Sequence, residues 1–154
     1  MDNYICINGK KSELTEEQMK ALGIERPKES PFDRIVDGKY YFINAHETVY
    51  PTKDCLSMAD DSLFGKANYC TDKAIMEQRA LHETLSRLLW RFGEMNGSGG
   101  RGTFAIGRKD DGKFVSLACS NRYLEPTFES LEITQRAIEE IVRPFMKANP
   151  DFVW

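Results

Sequence analysis

No apolar run in this chain exceeds a few positions, which excludes a transmembrane helix of about 20 residues. Cysteine is sparse and scattered: the four, at positions 6, 55, 70 and 119, form no C-x-x-C pair. Zinc would need ligands at short spacing, and only His46 and His82 stand beside those thiols. They read instead as small buried hydrophobes of a reducing compartment, with Cys70 half-buried at a strand end. Positive charge is not in excess, and a formal net charge of −3 argues against wholesale phosphate binding. The opening MDNYICINGKK has neither the basic start nor the apolar core of a signal peptide, so a cytosolic location is expected.

Catalytic patterns are missing too. His82-Glu83 begins H-E-T-L, without the second histidine of a zinc-protease helix. His82 itself falls at the margin of an apolar helix face. His46-Glu47 lies in a predicted turn, and the pairs Asp60-Asp61 and Asp110-Asp111 read as turns before they read as metal ligands. No nucleophile, base and orienting partner converge. The expectation is a protein that is not an enzyme, with no catalytic residue, metal or cofactor.

What the chain does have is one long helical rhythm, from Thr71 to Met95. Ala74, Leu81, Leu85, Leu88 and Phe92 recur at three- and four-residue steps and predict one buried face. Thr71 is the expected N-cap, Asp72 favours the positive end of the helix dipole, and Gly93 with the following glycines should end the helix.

Ahead of it, Tyr4, Ile5 and Ile7 lead into Asn8-Gly9, the signature of a tight hairpin turn. Thr15 and Gln18 make a capping box for a short helix with Leu14, Met19 and Leu22 on one side, stopped by Gly23. Residues 25–33, with two prolines and mixed charge, read as an extended linker that Pro31-Phe32 could pin. Asp37-Gly38 signals a turn, Lys39 to Asn44 a strand, and Val49-Tyr50 a second strand that Pro51 ends. Residues 52–68 show no period and are expected to cross the surface. Asn96 to Gly102, NGSGGRG, follows a helix rather than preceding one, so it lacks the dipole of a phosphate cradle and reads as a flexible linker.

Beyond it, Phe104 and Ile106, the Asp110-Asp111-Gly112 turn and Lys113 to Cys119 predict a hairpin. Ser130 should cap a second helix with Leu131, Ile138, Ile141, Val142 and Phe145 on its apolar face, kinked or ended by Pro144 near Arg143. Its outer face carries Glu132, Arg136, Glu139, Glu140 and Arg143 at helical spacing, a solvated charge ladder.

The order strand, strand, connection, helix occurs twice, with an aromatic two residues before each expected cap: Tyr69 before Thr71 and Phe128 before Ser130. The fold expected is α+β: an antiparallel sheet from two ββα-like halves, 34–95 and 103–148, with helices on one face. A hairpin–helix module at 1–24 and the linker at 25–33 precede this main domain, 34–154.

One helix face remains unexplained by the core. At about 100° per residue, Arg79, Glu83, Ser86, Arg87 and Trp90 turn away from Leu81, Leu85, Leu88 and Phe92, with Arg91 on the flank. A large aromatic among arginines has the composition of an interface hot spot. Arg79, Arg87, Trp90 and Arg91 are therefore the candidate binding residues. The competing readings are a Trp90 covered by the N-terminal module or the Trp154 tail, or stacked under Arg87.

Taken together, NGKKSELTEEQMKALG, DGKYYFIN and NYCTDKAIMEQRALHETLSRLLWRF resemble small proteins encoded by phages and prophages of Gram-positive bacteria. That resemblance implies an accessory protein, of the kind that includes anti-CRISPR and other anti-defence inhibitors, acting by stoichiometric binding to a host defence protein such as a CRISPR effector. Two alternatives stand beside it. One is a nucleic-acid-binding accessory protein using Arg79, Arg87, Arg91 and Arg101 with Trp90 as a stacking surface. The other is an oligomeric scaffold, or a sponge for a small ligand held in a closed pocket.

Overall fold

The computed structural model describes residues 4–7, 10–22, 30–96, 103–118 and 126–154, divided into units 1–30 and 31–154. The Asn8-Gly9 turn, Gly23, most of the linker, residues 97–102 of the glycine segment and Cys119 lie outside them.

In the first unit β1 (Tyr4–Ile7) pairs antiparallel with β2 (Lys10–Glu13), Ile7 opposite Lys10, so the expected hairpin forms. Helix α1 (Glu16–Ala21) begins at the predicted capping box. The Thr15 amide donates to Gln18 Oε1 at 2.9 Å, and the Gln18 amide donates to Thr15 Oγ1 at 3.3 Å. Met19 is buried, whereas Leu22 is exposed.

The second unit contains β3 (Lys39–Ile43), β4 (Val49–Lys53), α2 (Met58–Gly65), α3 (Lys73–Met95), β5 (Phe104–Arg108), β6 (Phe114–Ala118) and α4 (Leu131–Ala137). A π-helical stretch (Ile138–Val142) and α5 (Arg143–Ala148) complete it. The class is α+β, as expected. The strands nevertheless do not merge into one sheet: among the described residues each pair is its own two-stranded ladder.

Each ladder is extended by one bridge instead. Tyr41 exchanges backbone hydrogen bonds with Cys70 (2.7 and 3.1 Å), and Phe104 does so with Phe128 (3.1 and 2.8 Å). Both bridges sit two residues before a helix cap, Asp72 in one half and Ser130 in the other. The two halves therefore correspond, but one residue out of the expected register: Cys70 is the counterpart of Phe128, and Asp72 that of Ser130. Asp72 accepts the Ala74 and Ile75 amides at 2.8 and 3.3 Å. Thr71, expected to cap, binds the Pro31 carbonyl through its amide and hydroxyl, so residues 31–33 belong to this unit.

The Tyr41–Cys70 bridge also explains Pro51, which lies within β4 rather than ending it. Tyr41 turns its N–H and C=O toward Cys70 and away from β4, so its partner Pro51 occupies a non-hydrogen-bonded pair. The missing proline N–H costs no ladder bond there.

Residues 52–68 are not the featureless crossover expected. Ser57 and Asp60 form a capping box for α2: the Asp60 amide donates to Ser57 Oγ at 3.2 Å and the Ser57 amide to Asp60 Oδ2 at 2.9 Å.

Helix α3 serves two cores from two sides. Met76 and Ala80 are buried in its first half, where it packs on β3 and β4. Leu85, Leu89 and Phe92 are buried in its second half, packed with Ile106, Phe128, Ala137, Ile138, Val142 and Phe152. At about 100° per residue these sets lie roughly half a turn apart. The single predicted face is corrected accordingly: Ala74 is exposed, Leu81 and Leu88 are half-buried, and Leu89 replaces Leu88 at the centre. Gly93 does not stop the helix, which ends at Asn96. There Asn96 Nδ2 returns to the Phe92 carbonyl at 2.9 Å, and Arg136 reaches Asn96 Oδ1 at 3.1 Å.

In the last helical run Leu131 is exposed, whereas Thr134 and Ala137 are buried. Pro144 does not break the run. A proline within a helix lacks an N–H and its ring collides with the carbonyl four residues back, here Glu140. The π-helical turns just before it, with the Arg143 amide reaching Ile138, absorb that conflict and let α5 continue.

Candidate functional site

The outer face of α3 is built as a row of ion pairs around an exposed tryptophan. Arg79 Nε lies 2.8 Å from Glu83, and Arg79 also donates to the Ala67 carbonyl. Arg87 lies 2.8 Å from Glu47 and 4.0 Å from Glu83. Glu47 sits at the tip of the β3–β4 hairpin with φ +62°, its turn held by Asn44 Oδ1, which accepts the His46 and Thr48 amides. The Thr84 hydroxyl donates to Glu47 at 2.8 Å. That bond, opposed by desolvation and aided by Arg87, holds the Glu47 carboxyl below its usual range. Sequence spacing alone did not reveal Glu47 as a partner of Arg87, because the contact crosses 40 positions of chain.

Trp90 is 57% exposed within the second unit, so the Trp154 tail does not cover it, and Arg87 pairs with carboxylates instead of stacking on its ring. The Trp154 tail packs elsewhere: its ring meets Phe114 edge-on at 4.8 Å, and the preceding Val153 amide binds Gln78. Arg91 is exposed, and Arg101 lies outside the described residues.

Beside this face lies a cavity of about 420 Å³. Its floor is Leu85, Leu89 and Ile106, and its rim is His82, Glu83, Ser86, Pro126 and Trp154. Glu83 and Ser86 thus belong both to the Trp90 face and to the cavity. His82 contacts Phe152 edge-on at 4.6 Å, as a core-margin histidine. No group of three or more histidine, cysteine or acidic side chains suited to a metal occurs among the described residues. Cys55 is exposed and Cys70 wholly buried, deeper than expected, and both are unpaired thiols.

A second polar assembly had no forecast in the sequence. Asp54, wholly buried, takes a two-pronged contact from Arg34 at 2.6 and 3.0 Å, and Arg34 reaches Asp61 at 2.6 Å. Asp60, read from sequence as a turn residue, is buried and accepts from Tyr40, Ser57 and Cys55. The Tyr40 hydrogen bond, then those from Ser57, hold the Asp60 carboxyl far below its ordinary range. Arg34 holds the Asp54 carboxyl below its ordinary range against the cost of desolvation. Burial, then the Asp60 bond, pushes the Tyr40 hydroxyl well above the usual tyrosine range. The available signal was the Ser57-x-x-Asp60 spacing.

Comparison with known proteins finds no matching family model, curated protein or solved structure. No helix among the described residues is long and apolar enough to cross a membrane.

Proposed function

We propose that this chain is a stoichiometric binding protein that engages a partner protein through the outer face of α3, with Trp90 at the centre. The observation carrying this reading is a tryptophan left 57% exposed on a helix whose two cores are complete without it. Arg79 and Arg87 are already held by Glu83 and Glu47, so the face is ordered before contact and little side-chain entropy remains to be lost. The adjoining cavity offers a partner side chain an apolar floor, the setting in which anchor residues contribute most. Following the resemblance to phage and prophage proteins, the partner is a bacterial defence protein, and the chain acts as an anti-CRISPR-like inhibitor in the host cytosol. A nucleic-acid partner is less favoured because the carboxylates neutralise the two arginines best placed for phosphate.

The test is plaque formation by a defence-sensitive phage on a panel of immune hosts expressing the protein. Wild type should restore plaques on at least one host, and Arg87→Ala with Trp90→Ala should lose at least tenfold of that rescue at an unchanged melting temperature. Absence of rescue on every host would refute the anti-defence role. Full activity in a folded double variant would move the contact away from α3. Binding that weakens steeply with salt would return the reading to nucleic acid.

A further inference from the structure

The two hairpins of the second unit treat their open edges differently. Tyr41 and Phe104 direct their outward N–H and C=O to Cys70 and Phe128, so the free edges are those of β4 and β6. In each ladder the partner of the bridge residue, and every second residue from it, turns its own N–H and C=O away from the ladder. In β4 the centre of that outward row is Pro51, whose ring and missing N–H block an added strand. In β6 the row is Phe114, Ser116 and Ala118. The 2.9 Å bond from the Lys109 amide to the Lys113 carbonyl fixes the same alternation from the hairpin end. No hydrogen bond among the described residues engages the backbone N–H and C=O groups of this row. The strand, FVSLA, contains neither a charge nor a proline to blunt it. The adjacent Lys113 is paired with Asp111 at 3.1 Å.

The strand's own sequence states what fits this edge. Set antiparallel against itself about Ser116, it brings Phe114 opposite Ala118, Val115 opposite Leu117, and Ser116 opposite its own copy. Large then meets small, apolar meets apolar, and every outward N–H of one row finds a carbonyl of the other. Ser116 adds an independent observation. Its hydroxyl is the one buried side-chain polar atom without a hydrogen-bond partner among the described residues. A buried hydroxyl left alone is destabilising, and a two-fold axis at this residue supplies a second hydroxyl directly across the pair. Leu117, 51% exposed on the opposite face of the strand, gains Val115 of the second copy as a neighbour. We propose that β6 pairs antiparallel with β6 of a second copy, joining the two β5–β6 ladders into one four-stranded sheet about a two-fold axis at Ser116.

Sedimentation velocity of the full chain across a concentration series reads this pairing. Wild type should move toward twice the monomer mass as concentration rises. Ser116→Pro should weaken the dimer at least tenfold, because it removes the central donor of the edge while costing the internal ladder no bond, as at Pro51. Should that variant melt early, Ala118→Pro serves, since Ala118 is exposed and partners Phe104 as Pro51 partners Tyr41. Charge tests the register. Val115→Lys with Leu117→Lys should abolish the dimer, whereas Val115→Lys with Leu117→Glu should retain it, because position 115 of one copy faces position 117 of the other. Trp90→Ala should leave the dimer unchanged, which separates this edge from the face proposed above. Refutation takes any of four forms: a wild type monomeric up to millimolar concentration, a dimer undiminished in the folded proline variants, equal behaviour of the two charge variants, or loss with Trp90→Ala. A monomeric wild type whose folded Ser116→Pro variant loses phage rescue would assign the edge to a strand of the partner protein and equally overturn the proposal.

Discussion

Replacing Tyr40 by phenylalanine removes one atom from the hydrogen-bonded assembly around Asp60. The ring stays in place, stacked on Tyr69 at 4.1 Å and almost wholly buried. The loss is the 2.6 Å hydrogen bond to Asp60 Oδ1. The donors from Ser57 and Cys55 all go to the other oxygen, Oδ2, so Oδ1 has no substitute among them. A hydrogen bond to a charged group contributes about 1.5–3 kcal/mol, and each kcal/mol moves the melting point of a domain this size by about 2–4 °C. Tyr40→Phe should therefore melt about 3–12 °C lower at neutral pH.

The sign of the pH dependence gives a second reading. The folded Asp60 carboxyl titrates below its unfolded value of about 4, so its contribution is complete above that pH and is lost as pH falls toward the folded value. Tyr40 is the largest cause of that depression, so the gap between wild type and variant should narrow as the pH drops below about 4. Urea titrations across the acid range measure this, and tyrosinate absorbance in alkali should lose its latest-titrating component. A variant within about 0.5 kcal/mol of wild type with a parallel acid profile would refute the reasoning.

Leu89→Ala should cost about 2–5 kcal/mol in a denaturant melt, whereas Leu131→Ala, at an exposed position, should stay within about 0.5 kcal/mol. Gly38→Ala should destabilise by about 1–3 kcal/mol, because a Cβ there would stand 2.9 Å from the Ile35 carbonyl oxygen as well as 2.5 Å from its side chain. Gly65→Ala meets nothing within 4 Å and should stabilise by about 0.4–1 kcal/mol in the same assay.

Local chemistry was legible where it is settled within a few residues. The Thr15–Gln18 box, the Ser130 cap and the hairpins at 104–118 depend on neighbours in the chain, and each forms where spacing places it. The α2 box, Ser57 to Asp60, obeys the same rule and was passed over because no apolar period followed it. Pro51 and Pro144 were read by their intrinsic restrictions. Each is tolerated for a reason no local window contains: the Cys70 bridge in one case, the π-helical turns in the other. The candidate face shows the same divide. Trp90 and its arginines could be placed opposite Leu85 by counting, but the partner of Arg87 could not.

The sequence by itself determined the α+β class, the extent of the long helix to within two residues, and the placing of Trp90 on the face opposite Leu85. All three follow from period and capping, which act over one or two turns. Tertiary structure alone decided that α3 presents opposite sides to two cores, that the hairpins remain separate ladders among the described residues, and that Asp54 and Asp60 are buried. The reason is that burial and pairing energies arise between segments distant in sequence. A carboxylate is stable inside only once Arg34 or Tyr40 has been brought to it.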